Sequence, residues 1–315
     1  MSCGRRLSAI RRTAPVAALA AIAIAMLAPA AAVGQTLTVV ARLTPEAGRI
    51  VDAAMISDTH LALLYPDAGQ IADYTLDGKL YQHILREGGR ELAFRPTACC
   101  AREREGLLVF DEAAHKLFTI AGDGNFERGI DLAYPQESGG PLALAAVGDI
   151  ALGPEGVIDA MLPDRGVLAS FDGDGKLTTR LNLLSALPYP QAVYARAQPL
   201  ADGSLFVLDY NQGAVIYRRG AAGQFRRLTL EHPAGIDAAP LLQDFAVDEG
   251  GNVLLATADP AAPLVFLRPG KKGYTSHHVK IELPRAPQRF STRYSRGRFI
   301  LWLRETPSVI VLELR

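Results

Sequence analysis

Three aspartates stand at the same position in repeated segments of the chain, and carboxylates brought together in this way could hold a cation. Asp52, Asp149 and Asp244 each open a short apolar run, and Arg196 stands at the equivalent position of another segment. Converging carboxylate oxygens suit Ca²⁺, and a mixed set of acids and one arginine suits a small polar ligand. An aspartate that opens a strand can instead accept hydrogen bonds from nearby backbone N–H groups and serve only the fold. The sequence leaves both interpretations open, and calcium is the one cofactor that the aspartates suggest.

Cys99 and Cys100 are adjacent, and no other cysteine follows the first 34 residues. In an oxidising compartment two adjacent thiols can form a vicinal disulfide, which could floor a ligand site. Their Cα atoms would lie about 3.8 Å apart, below the usual disulfide range of about 4.4–6.8 Å, so the ring would be strained. Consecutive side chains of a strand point to opposite faces, which would instead keep two free thiols apart. Both alternatives stay open.

Other chemical signatures are weak. The six histidines are not spaced as a metal site, and Asp172–Gly175 lacks the third ligand and the distal Glu of a calcium loop. The sequence contains no G-x-S-x-G, H-E-x-x-H or P-loop motif. The carboxy-terminal segment is rich in arginine, which predicts a solvated edge by default and an anion-binding rim as the alternative. These arginines are Arg285, Arg289, Arg293, Arg296, Arg298 and Arg304.

The segments that carry these residues are repeats of one supersecondary unit. DFAVDEGGNVLLAT (Asp244–Thr257) aligns without a gap with DIALGPEGVIDAML (Asp149–Leu162) and with DAAMISDTHLALLY (Asp52–Tyr65). Small turns recur between the copies, with glycines 46 to 51 residues apart. A sustained period of this length predicts repeated units, and turn signals divide the first unit into four short strands. The turn glycines are Gly78, Gly124, Gly175, Gly223 and Gly270.

Six four-stranded units account for the repeats if an amino-terminal strand joins the last unit. That last unit offers only three strand-like runs, whereas TLTVVARL (Thr36–Leu43) stands alone before the first unit. Pairing the two covers an exposed sheet edge and predicts an all-β, six-bladed β-propeller closed by an N-terminal strand, over residues 35–315. Inner strands would then line a central channel, with Asp52 of blade 1 facing Arg196 of blade 4. The two remaining inner-strand positions are Ala98 and Phe290.

Two repeats resemble blades of known propellers. PLADGSLFVLD (Pro199–Asp209) and DFAVDEGGNVLLA are similar to units of six-bladed propellers of the NHL-repeat and TolB-like type. The resemblance implies the fold, and with it a range of functions that includes lactonases, lyases, sugar dehydrogenases and plain binding modules. Calcium-dependent lactonases of this kind use a glutamate, an asparagine and an aspartate on inner strands. This chain matches only the aspartates.

The first 34 residues have the three-part pattern of a secretory signal peptide. Arg5, Arg6, Arg11 and Arg12 precede an apolar run over Val16–Leu27, and small residues then offer a cleavage site before residue 35. The paired arginines leave the general secretory and twin-arginine routes open. We therefore expect an exported, periplasmic or secreted protein without an integral membrane segment in its mature chain.

Beyond the signal peptide, the sequence contains 29 basic and 33 acidic residues, which does not match the basic surface of a nucleic-acid binder.

Long connections between repeats, such as Leu184–Gln198 and Glu231–Gln243, should lie on one face and offer a binding surface. The sequence favours a binding module for a peptide, a polysaccharide or an envelope protein. The alternative is a calcium-dependent hydrolase or lyase acting on a small polar substrate. Its metal ligands would be Asp52, Asp149 and Asp244, with Arg196 and the two cysteines beside them.

Overall fold

Short runs of aliphatic and β-branched residues, separated by polar turns, form the strands of this protein. The computed structural model describes Thr36–Arg315, except residues 86–93, 136–140, 143–146, 187–193, 201, 210–214, 220–222, 229, 232–241, 271–272, 280, 284–288 and 305. The predicted signal peptide lies outside the described residues. No helix of the described part is long and apolar enough to cross a bilayer.

The strands form six antiparallel blades in chain order, each counted from the channel outward. Blade 6 takes its outermost strand, β1 (Leu37–Leu43), from the start of the chain. Blade 1 contains β2 (Asp52–Met55), β3 (His60–Tyr65), β4 (Gln70–Thr75) and β5 (Leu80–Ile84). Blade 2 contains β6 (Pro96–Ala101), β7 (Gly106–Asp111), β8 (Lys116–Ala121) and β9 (Phe126–Asp131). The short pair β10 (Tyr134–Pro135) and β11 (Pro141–Leu142) follows.

The second half of the ring repeats the arrangement. Blade 3 contains β12 (Asp149–Leu152), β13 (Ile158–Leu162), β14 (Val167–Phe171) and β15 (Leu177–Asn182), with 3-10 turns at Pro154–Gly156 and Pro163–Arg165 and the helix α1 (Leu183–Ala186) after it. Blade 4 contains β16 (Tyr194–Pro199), β17 (Leu205–Asp209), β18 (Val215–Arg219) and β19 (Phe225–Arg227). Blade 5 contains β21 (Leu242–Val247), β22 (Val253–Thr257), β23 (Leu264–Pro269) and β24 (Tyr274–His278), with β20 (Leu230–Glu231) parallel to β24. Blade 6 adds β25 (Phe290–Ser295), β26 (Arg298–Leu303) and β27 (Val309–Leu314).

The amino-terminal strand closes the ring. β1 pairs antiparallel with β27 from Leu37 opposite Leu314 to Leu43 opposite Val309. Thr36 and Arg315 extend the pairing through two backbone hydrogen bonds. The prediction of an all-β, six-bladed propeller with an N-terminal closing strand is therefore confirmed.

Apolar side chains fill the space between neighbouring blades. The described residues form six buried clusters, one between each pair of adjacent blades, including blades 6 and 1. The clusters have 11 to 16 buried members, except that between blades 3 and 4, which has six. Because the apolar side chains of each blade pack on its two neighbours, every cluster contributes to closing the ring.

Glycine is required where the outer hairpins turn. Gly175, between β14 and β15, has a φ of +84°, and an added Cβ would lie 2.1 Å from the carbonyl oxygen of Asp131 in blade 2. Any other residue would be strained there and would collide with the neighbouring blade.

Candidate functional site

Two arginines and three aspartates meet in the central channel. Asp52, Asp149 and Asp244 lie on the inner strands of blades 1, 3 and 5, while Arg196 and Arg293 lie on those of blades 4 and 6. All five are buried or nearly buried, with side-chain exposures of 5 to 12 %. We call this cluster the ionic plug. Its five charges sum to −1.

Arg196 reaches four other blades. Its Nε donates to Asp149 Oδ2 at 3.1 Å, and its Nη1 donates to Asp244 Oδ2 at 2.7 Å. Nη1 also donates to the carbonyl oxygen of Thr292, and Nη2 lies 3.9 Å from Asp52 Oδ1. The predicted opposition of Asp52 and Arg196 across the ring is present, but the shorter contacts of Arg196 go to the other two aspartates.

Arg293 is the main partner of Asp52. Its Nε and Nη2 donate to the two carboxylate oxygens at 2.9 and 2.8 Å, a bidentate pairing. Nη2 also donates to Asp149 Oδ1, and Nη1 donates to the carbonyl oxygen of Ile150 at 3.2 Å. This side chain therefore joins blade 6 to blades 1 and 3.

Backbone N–H groups hold the aspartates from the other side. Asp52 accepts hydrogen bonds from the N–H of Ala53 at 2.9 Å and from that of Cys99, in the next blade, at 2.8 Å. Asp244 repeats this pattern with Phe245 at 2.9 Å and Thr292 at 3.0 Å. All six carboxylate oxygens of the ionic plug thus accept at least one N–H.

The predicted calcium ligands therefore already have partners. Among the described residues, no group of three or more His, Cys, Asp or Glu side chains has the arrangement of a metal site. A calcium ion on these aspartates would have to displace the guanidinium groups of Arg196 and Arg293.

Burial and ion pairing shift the pKa values of the plug in ways that follow from its geometry. Burial raises the pKa of Asp52 above its usual value, although Arg293 and Arg196 oppose the shift. Burial acts to lower the pKa of Arg196 and of Arg293, but the facing carboxylates outweigh it and raise both. Both guanidinium groups therefore stay charged.

Sequence reasoning missed Arg293 for two reasons: it placed blade 6 one residue out of register, and Arg293 lies two residues beyond the equivalent position. Ser291, opposite Trp302, occupies the position of Asp244, which lies opposite Ala256. The connection between equivalent paired residues is one residue shorter in blade 6 (Tyr294 to Phe299) than in blade 5 (Val247 to Val253), so an offset copied from blade 5 ends at Phe290. Phe290 is 4 % exposed and packs between blades 5 and 6. The predicted channel position of Phe290 is wrong.

The adjacent cysteines are free thiols in the structure, which matches the second of the two alternatives that the sequence left open. Cys99 packs between blades 1 and 2 and Cys100 between blades 2 and 3, as consecutive side chains of a strand must. Burial raises the pKa of Cys99 well above its usual value and that of Cys100 to about 12. Neither thiol forms the reactive thiolate near neutral pH.

A cavity of about 260 Å³ opens above the ionic plug, and we call it the channel-mouth pocket. Asp149, Arg196 and Arg293 line it, together with residues at the carboxyl ends of the inner strands of blades 2 to 6. The long connections predicted to form a binding face enter the opposite, amino ends of the inner strands, and most of them lie outside the described residues.

Arg296 lies at the rim of this pocket, in the two-residue turn between β25 and β26. Its φ of +47° and that of Gly297, +75°, both lie in the left-handed region, as a two-residue hairpin turn requires. Its Nη2 donates to the carbonyl oxygens of Arg102, at 2.7 Å, and of Arg104. Its Nε is buried without a hydrogen-bond partner, and no described carboxylate forms an ion pair with Arg296. The sequence offered Arg296 only as one of six arginines.

The opposite rim carries an acid. The hydroxyl of Tyr294 donates to Glu249 Oε2, and burial followed by this contact raises the pKa of Tyr294. Gln198 connects blades 4 and 5 below this rim, because its side chain accepts from the N–H of Val247 at 2.9 Å and donates to the carbonyl oxygen of the same residue at 2.5 Å. The rim is therefore built from side chains that the inter-blade contacts hold in place.

Comparison with known proteins identifies the fold but no family. No protein-family model and no curated protein sequence matches the chain. Among solved structures, a catalytically inactive virginiamycin B lyase from Staphylococcus aureus with quinupristin is similar over 87 % of this chain and 83 % of its own, at 12 % identity and a TM-score of 0.55. A putative gluconolactonase is similar over 90 and 93 % of the two chains, at 15 % identity and a TM-score of 0.54. The WD40 β-propeller domain of Doa1 is similar over 88 and 97 %, at 11 % identity and a TM-score of 0.52. Propellers with such different descriptions share this fold, so the likeness establishes the architecture alone.

Proposed function

We propose that this protein is an exported binding module whose channel-mouth pocket takes a carboxylate side chain of a peptide or protein partner. The observation that carries the proposal is Arg296. A two-residue hairpin turn holds a guanidinium group at the rim of a cavity, with a buried N–H that no described residue satisfies. A carboxylate is the usual partner of a guanidinium group.

The size and lining of the pocket support a single side chain as its occupant. A volume of about 260 Å³ is below the usual range of about 300–1,000 Å³ for sites that enclose a whole small molecule. Tyr294 is the one aromatic residue among the described lining residues, which gives little surface for stacking a sugar ring. These features favour a peptide over a polysaccharide.

The chemistry of the channel favours binding over catalysis. A calcium-dependent hydrolase or lyase needs carboxylates free to hold the metal, whereas every carboxylate oxygen of the ionic plug accepts an N–H. A thiol nucleophile needs a lowered pKa, whereas those of Cys99 and Cys100 are raised. Export is supported by the basic, apolar and small-residue segments of the first 34 residues.

The test is a selection of random linear peptides displayed on phage, followed by fluorescence polarisation with the selected peptides. We expect them to share an acidic side chain. Arg296→Asn should weaken their binding at least about tenfold, because a charge-assisted hydrogen bond contributes about 1.5–3 kcal/mol. Asparagine accepts the left-handed conformation, so the variant keeps the turn.

The matched control is Arg226→Asn, on the exposed outer strand of blade 4, and it should bind the peptides as the parent protein does. Selected peptides without acids, or peptides that bind Arg296→Asn unchanged, would overturn the proposal. Binding to a polysaccharide on a glycan array that survives Arg296→Asn would support the polysaccharide alternative instead.

A further inference from the structure

A second cavity, of about 480 Å³, lies between blades 3 and 4. Its walls combine apolar and polar side chains, and the apolar ones include Leu168 of blade 3 and Leu205 of blade 4. It adjoins the channel-mouth pocket, since Leu152, Pro199 and Leu200 line both. We call it the blade 3–4 pocket. Its volume is within the range of sites that enclose small molecules.

A polar row crosses blade 3 inside this pocket. Asp159, Ser170 and Thr179 lie opposite one another on β13, β14 and β15, and all three line the cavity. Asp159 is 9 % exposed, and Ser170 donates its hydroxyl to Asp159 Oδ1 at 2.5 Å. No Arg, Lys or His among the described residues forms an ion pair with Asp159. Burial raises its pKa, and the Ser170 hydroxyl is the contact that opposes the shift.

The position of Asp159 is apolar in every other blade. It lies two residues before Met161, which pairs with Asp149 of the inner strand. In each of the other blades, the residue two positions before the partner of the equivalent inner-strand residue is buried and packs against the next blade. These residues are Ala62, Leu108, Phe206, Leu254 and Ile300.

The presence of Asp159 at a position that is apolar in the other blades explains the cavity between blades 3 and 4. Asp159 interrupts the apolar packing, and the cluster between blades 3 and 4 has only six buried members among the described residues. A buried carboxylate without a cation costs stability unless something compensates it. Asp73 of blade 1, also buried, shows the usual solution, because it has His60 and Gln82 as partners.

We propose that the blade 3–4 pocket binds an organic ammonium ion with a compact apolar body, whose ammonium group pairs with the carboxylate of Asp159. The ammonium group would supply the missing cation, and the apolar body would cover the leucine side chains of the walls. Glu103 at the rim adds a second negative charge. Arg219 also lines the pocket, but its Nε donates to the carbonyl oxygen of Gly223 at 3.0 Å and its guanidinium lies over Phe225. The proposal is independent of the channel-mouth function, since Arg296 does not line this pocket.

Isothermal titration calorimetry with matched probes tests the charge requirement. The probes are phenethylammonium and cyclohexylmethylammonium ions, with 2-phenylethanol and cyclohexylmethanol as their neutral counterparts. We expect each ammonium ion to bind at least about tenfold more tightly than its alcohol, because the charged pair is formed away from water. A third ammonium probe, N-acetyl-lysine methylamide, distinguishes the source. Weaker binding than the cyclic ions assigns the site to free amines, and equal or tighter binding assigns it to a lysine side chain of a peptide.

Two variants complete the test. Asp159→Asn keeps the hydrogen bond with Ser170 and the volume of the side chain, and it should abolish the preference for ammonium ions. Asp131→Asn removes an equal charge from an exposed ion pair with Lys116 on blade 2, and it should bind all probes as the parent protein does. Alcohols that bind as tightly as ammonium ions, an Asp159→Asn variant that retains the preference, or no saturable binding of any ammonium probe up to about 10 mM would overturn the proposal.

Discussion

Replacing Arg293 with methionine removes one of the two cations of the ionic plug while keeping most of the side-chain volume. Asp52 loses its two hydrogen bonds from Arg293 and Asp149 loses one, so the charge of the plug falls from −1 to −2 in a buried site. Removing one partner of a buried ion pair costs about 3–5 kcal/mol. Asp52 keeps the N–H groups of Ala53 and Cys99, which limits the loss to this range. A domain with a free energy of unfolding of about 10 kcal/mol, in the middle of the typical range of about 5–15 kcal/mol, would still fold.

The loss should also depend on pH. The pKa of Asp52 is already raised in the folded protein, and removing Arg293 raises it further. The folded state of the variant then binds a proton that the unfolded state releases, so its stability falls as pH rises through the folded pKa. The deficit relative to the parent protein should therefore shrink as pH is lowered from 8 towards 5 (about 1.4 kcal/mol for each unit of pKa difference).

Urea unfolding followed by tryptophan fluorescence measures this effect. Trp302 is the one tryptophan of the chain, is 1 % exposed, and lies in blade 6 beside the strand that carries Arg293. Arg226→Met, on an exposed strand of blade 4, is the matched control and should change stability by less than about 0.5 kcal/mol. A deficit of Arg293→Met below about 1 kcal/mol at neutral pH, or one that does not shrink on acidification, would refute the account of the plug.

Three further predictions concern the same fold. Deleting Thr36–Leu43 should abolish the cooperative melt or cause aggregation, because it exposes the edge of β27; a soluble variant with an unchanged melting temperature would contradict ring closure by β1. Arg196→Ala should lower the melting temperature, and calcium should restore part of this loss because it can take the place of the missing cation. Calcium should leave the melting temperature of the parent protein unchanged. A calcium-induced rise in the parent protein would show that its carboxylates are free to bind metal. Cys99 and Cys100 should both be alkylated in unreduced, denatured protein, as mass spectrometry can establish; an unreduced mass without alkylation would show the disulfide that the structure lacks.

The repeats determined the fold without help from tertiary contacts. A strand needs alternating or continuous apolar residues and a turn needs Gly or Asp, so the four strands of the first unit were predictable from its turn signals. The closing role of Thr36–Leu43 was predictable as well, because one unit lacked a strand and one strand lacked a unit. Asp159 was visible in the aligned repeats as an acid opposite Leu254, although the alignment alone did not show that it faces the next blade.

The candidate sites depend on what the closed ring brings together. Asp52 and Arg293 are 241 positions apart in the chain. Whether they meet depends on the register of blade 6, because a shift of one residue moves every side chain of the inner strand to its other face. The place of Arg296 at the rim of the channel-mouth pocket likewise depends on the closed ring, because the carbonyl oxygens that it contacts belong to blade 2. Local sequence patterns therefore determined the strands and their number. The partners of buried charges depended on contacts across the channel, since a charge is stabilised by whatever lies within a few ångströms, however distant in sequence.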